Sequence, residues 1–108
     1  MVTGKKRFKL GGKDYQLVLD INAMADFEGA TGRDAIDALD DLQNGRMRVA
    51  DMRAMFWALF QAHHPEISLR DAGTLLAENP KALGETVRAA MPKTEDAPGN
   101  QTAAVTQD

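Results

Sequence analysis

The chain has 108 residues, with 13 Lys and Arg against 16 Asp and Glu, which is enough for one small domain and too little for two ordinary ones. It contains no cysteine, so disulfides, thiolate metal sites and cysteine nucleophiles are excluded and a reducing, intracellular compartment fits best. No stretch approaches the ~20 apolar residues of a membrane span, and Met1 to Gly12 lacks the apolar run of a signal peptide.

The net charge of -3 is unevenly spread. Lys5, Lys6, Arg7, Lys9 and Lys13 make the start uniformly basic, whereas Asp14 to Asp41 carries eight acids against the single Arg33. Such polarity suits a molecule that meets acidic and basic partners, or its own copies head to tail. Solvated faces without a partner account for it equally well.

Within the basic segment, Arg7 to Leu10 and Tyr15 to Leu19 alternate apolar and polar side chains around Gly11, Gly12, Lys13 and Asp14. The glycines supply the positive-φ positions of a tight turn, which predicts a β-hairpin. A two-stranded hairpin is marginal alone, so it must pack on the helices that follow or pair with another chain.

From Asp20 the pattern becomes helical. Asp20 or Asn22 caps a first helix that buries Met24 and Phe27 and stops at Gly32. Arg33 to Gln43 predicts a second, with Ile36, Leu39 and Leu42 on its inner stripe and Asp34, Asp37, Asp40 and Asp41 mostly away from it. A third, Val49 to His63, is apolar over most of its circumference and should be central. Ser68 and Asp71 resemble a capping box opening a fourth helix with Leu69, Ala72, Leu75 and Leu76 inward. Asn79 and Pro80 supply a cap and a first-turn proline for a fifth carrying Leu83, Val87, Ala90 and Met91. Lys93 to Asp108 has no large apolar residue except Val105 and reads as a disordered tail. The fold class is therefore α+β: a hairpin followed by about five short helices in one domain, residues 1–92, and a tail, residues 93–108.

Chemistry is sparse. His63 and His64 are adjacent, so on a helix they point about 100° apart and cannot share one metal as an i, i+4 pair does. Asp37, Asp40 and Asp41 lack the glycine-containing calcium-loop pattern. Ser68 is the only serine and serves most simply as a cap. No glycine-rich phosphate loop follows a strand, and no cofactor is expected. These absences argue against an enzyme. The two helices around Asn79 and Pro80 imitate a helix-turn-helix, but the second offers only Lys81 and Arg88 against Glu85. The third helix gathers Met52, Met55, Phe56, Trp57 and Phe60, side chains that suit either a core or a surface accepting varied apolar helices.

In order, a basic hairpin leading into "LVLDINAMADFEGATG", a short helix ending in "LQNGRM", then "LFQAHHPEISLRDAGTLL" and a closing helix resemble the small tail assembly chaperones of long-tailed phages, prophages and gene transfer agents. The similarity covers about Lys6 to Met91 and rests on Asn22, Phe27, Glu28, Thr31, Gly32, Pro65 and Ser68. It implies a noncatalytic protein of the bacterial host cytoplasm that coats the tape measure protein while tail tube subunits assemble. It also implies absence from the finished tail and, in many members, a longer frameshifted form that recruits tube subunits. Self-association through the hairpin edge or the charged ends fits this role. The rival expectations are a head-tail connector or other small virion component, and a small DNA-binding regulator.

Overall fold

The computed structural model describes residues 4–10 and 12–90. Strands β1 (Gly4–Leu10) and β2 (Lys13–Leu19) form an antiparallel hairpin in register from Gly4 opposite Leu19 to Leu10 opposite Lys13. Gly12, at φ 82°, supplies the left-handed turn position that a side chain would strain. Both strands outrun the apolar alternation, because the ladder carries the Gly4–Lys6 backbone along the buried end of β2 regardless of its side chains. Five helices follow: α1 (Ile21–Thr31), α2 (Ala35–Gln43), α3 (Val49–Phe60), α4 (Leu69–Glu78) and α5 (Ala82–Ala90).

The hairpin does not stand alone. Leu10, Leu17 and Leu19 share its inner face and join one core with α3 and α5, while α5 lies chiefly along β1 and α3 along β2. Tyr15 meets Phe60 edge-on at 5.3 Å between ring centroids, and Phe60 meets Phe56 at 5.0 Å. Val18 points to the other face and is still buried, so the end of β2 is covered on both sides.

Helix boundaries follow local chemistry. Asp20, rather than Asn22, caps α1, its carboxylate accepting from the Ala23 amide at 2.9 Å. Asp34 caps α2 in the same way through Asp37. α3 stops at Phe60, three residues before its expected end, and a turn carries the chain through His63. The Ser68–Asp71 capping box is complete, with Ser68 Oγ accepting at 3.0 Å and Asp71 returning the bond at 3.2 Å. Asn79 closes α4 instead of opening α5: its amide donates to the carbonyls of Leu75 and Leu76, and Pro80 and Lys81 turn the chain before Ala82.

Three inward assignments change. On α2 the buried stripe is Ala35, Ala38 and Leu39 with Leu42 half-buried, which turns Ile36 outward at 62% exposure. On α4 only Ala72 is fully buried, and Leu69 stands 36% exposed because α4 packs mainly against α3. On α3 the expected apolar groove is narrowed: of its five residues Met55, Phe56 and Phe60 are fully buried and Met52 and Trp57 alone reach the surface. A helix gripped by α1, α4 and β2 has little apolar surface left to offer. Met91 and the expected tail lie outside the described residues.

Candidate protein-interaction surface

The residues that carry the family resemblance build a corner. Phe27 is sunk in the core, and Glu28 on the next position accepts the first free amide of α2, that of Ala35, at 2.8 Å. Thr31 Oγ1 donates to the Phe27 carbonyl and accepts from the Arg33 amide, so the chain is held through the left-handed Gly32 at φ 73°. Phe-Glu-x-x-Thr-Gly is thus a recipe for turning α1 into α2. Asn22 and Pro65 are exposed, and Ser68 acts at the start of α4.

Arg33 extends the corner to α3. Its guanidinium donates to buried Asp51 at 2.6 Å and to Asp41 at 3.0 Å. These bonds, Asp51 first and then Asp41, hold the guanidinium pKa further above its ordinary range. Asp51 is the buried carboxylate that sequence reasoning passed over; its place one turn into an apolar helix, eighteen residues after an isolated arginine, was the available signal. His64, weighed in the sequence only as a metal ligand beside His63, has a structural tie that the sequence reading did not foresee. Its Nε2 accepts the Gln16 amide of β2 at 3.1 Å, and its ring meets Tyr15 at 5.0 Å, so the histidine ties the hairpin to the end of the α3 region.

Among the described residues the apolar surface left open lies along α4, at the start of α3, and at Ile21 and Ile36 in the first turns of α1 and α2. Leu69, Leu75 and Leu76 are all partly exposed, with Ala72 the sole buried anchor. Each leucine left half-covered leaves about 1 kcal/mol of its burial free energy unrealised. Leu69 lines a shallow depression of about 230 Å³ with Arg48, Ala50, Arg53 and Ala54; Val49, the first residue of α3, is 79% exposed. Among the described residues no helix is long and apolar enough to cross a membrane, and no three metal-binding side chains gather into a site.

A family model described as phage tail tube protein, GTA-gp10, matches residues 3–92. The chain belongs to this family. The match spans the hairpin, the Phe27–Gly32 corner and all five helices, so the family unit is the whole described fold rather than one motif. No curated protein and no solved structure matches the chain. Family membership makes this a phage tail-related protein, and it directs attention to surfaces that meet other tail proteins.

Proposed function

We propose that this tail protein is a noncatalytic assembly chaperone, which binds the tape measure protein and keeps it soluble while tube subunits assemble. The carrying observation is α4, an amphipathic helix whose apolar side is only half-covered by α3. A long amphipathic partner helix fits beside Leu69, Leu75 and Leu76, with Trp57 and Met52 as the accessible remnants of the apolar α3. Weak contacts repeated over many copies suit a coat that must later be displaced. The binding takes place in the host cytoplasm, and a longer frameshifted form supplies the contact to tube subunits.

The description of the family favours a second reading, a tail tube subunit that stays in the particle. Affinity purification of the tagged protein from induced source cells, with mass spectrometry of purified particles, separates the two. A chaperone brings down the tape measure protein and is absent from particles. A tube subunit is abundant in particles. Recovery of head or connector proteins alone returns the connector reading, and nuclease-sensitive DNA complexes alone would sink all of these.

A further inference from the structure

The hairpin has two edges, and the fold treats them differently. Only two residues separate Leu10 from Lys13, which makes them a hydrogen-bonded pair, and such pairs alternate along an antiparallel ladder. Phe8 with Tyr15, Lys6 with Leu17 and Gly4 with Leu19 therefore turn their peptide groups toward each other. Asp14, Gln16 and Val18 on β2, and Lys5, Arg7 and Lys9 on β1, turn theirs outward. The Gln16 amide confirms this parity, because it leaves the ladder and donates to His64 Nε2 at 3.1 Å. The edge of β2 is thus plugged midway by an imidazole. On β1 no outward amide or carbonyl bonds to another backbone group among the described residues. This strand reads GKKRFKL, basic at Lys5, Lys6, Arg7 and Lys9 and without an acid. Arg7 and Lys9 are exposed and make no ion pair among the described residues, although Lys9 stands opposite Asp14.

We infer that the outer edge of β1 takes up an extended, acidic segment of a partner protein as a third strand. The peptide groups of Arg7 and Lys9 supply the ladder bonds, and the charges on the strand select what enters. A third strand also relieves the marginal stability of a two-stranded hairpin. Charged side chains at a sheet edge ordinarily keep like edges apart. Here they turn away a second copy, since β1 against β1 sets Lys and Arg beside Lys and Arg. An acidic strand meets opposite charge at the same positions and is steered toward them. The contact uses none of the α4 leucines, so it stands whichever partner α4 takes.

The test is amide exchange of the full chain, read by NMR, with two end-blocked peptides, one alternating threonine with glutamate and one alternating threonine with lysine. The glutamate peptide should slow exchange at Arg7 and Lys9 at least about tenfold and leave Asp14 on the far edge unchanged, while the lysine peptide should protect none of them. Arg7→Pro removes one outward N–H and spares the bonds to β2, so it should weaken binding of the glutamate peptide at least about tenfold with the circular dichroism spectrum unchanged. Arg7→Glu with Lys9→Gln keeps every peptide group and should abolish the preference for the glutamate peptide. Absence of protection at millimolar glutamate peptide overturns the inference. So does equal protection by the two peptides, or a preference that survives the double substitution. Arg7 and Lys9 amides already protected in the free chain overturn it as well: protection that grows with protein concentration gives the edge to a second copy, and protection independent of concentration gives it to the chain's own segments.

Discussion

α4 and α5 have nearly the same length, ten and nine residues, and both are strongly amphipathic, yet the fold treats them differently. α5 buries Ala82, Leu83, Thr86, Val87 and Ala90 because it lies along the hairpin and also touches α2 and α3. α4 buries only Ala72 because α3 is its main neighbour. An apolar stripe therefore records that a helix has something to cover, and the neighbours decide how completely it is covered. The helix with the unfinished cover is the one that the proposed function assigns to a partner.

The largest effect that can break this contrast is a matched pair of truncations. Leu83→Ala removes a side chain packed on all sides and should cost about 2–4 kcal/mol. In a domain of this size that lowers the melting temperature by roughly 10–20 °C. Leu76→Ala removes a half-buried one and should cost about 1 kcal/mol, while weakening capture of the tape measure protein more than its stability loss explains. Thermal unfolding of both proteins, with pull-down of the partner, checks the pair. Equal destabilisation would place α4 in the core after all.

The same contrast explains what could be read in the sequence. The hairpin, the left-handed stop at Gly32 and the Ser68 capping box were legible because each depends on residues a few positions apart. The α+β class followed from the change of period at Asp20. Ile36 and Leu69 were misplaced because their exposure depends on which neighbours arrive, and no local pattern states that. Asp51 and the bond that His64 accepts from β2 were missed for the same reason, since the partners Arg33 and Gln16 lie eighteen and forty-eight residues away. The candidate surface was legible only in part: Met52 and Trp57 remain accessible, whereas the exposure of Ile36 and Val49 emerged only with the fold.

A smaller effect probes how α4 is held. Ser68→Ala removes the side-chain half of the capping box and should cost about 1 kcal/mol. With one main neighbour, that loss should appear as local opening: faster amide exchange through Leu69–Ala72 with α5 protection almost unchanged. Uniform acceleration in both helices would mean that α4 unfolds only with the whole domain.

The smallest effect concerns two helical glycines. An alanine methyl at Gly84 of α5 would meet nothing within 4 Å, so Gly84→Ala should stabilise the protein by about 0.5–1 kcal/mol through helix propensity alone. At Gly73 of α4 the methyl would stand 3.0 Å from Cδ and 3.4 Å from Cγ of Arg53, both on a flexible and exposed side chain. Gly73→Ala must displace that arginine or push α4 away from α3. If the arginine swings aside, most of the propensity gain survives and stability rises. If α4 moves instead, its amides should exchange faster and the gain should vanish. Denaturant unfolding of the two variants beside amide exchange of α4 distinguishes these outcomes, and a Gly73→Ala protein as stabilised as Gly84→Ala with unchanged α4 exchange would mean that the Arg53 side chain yields the space at no cost.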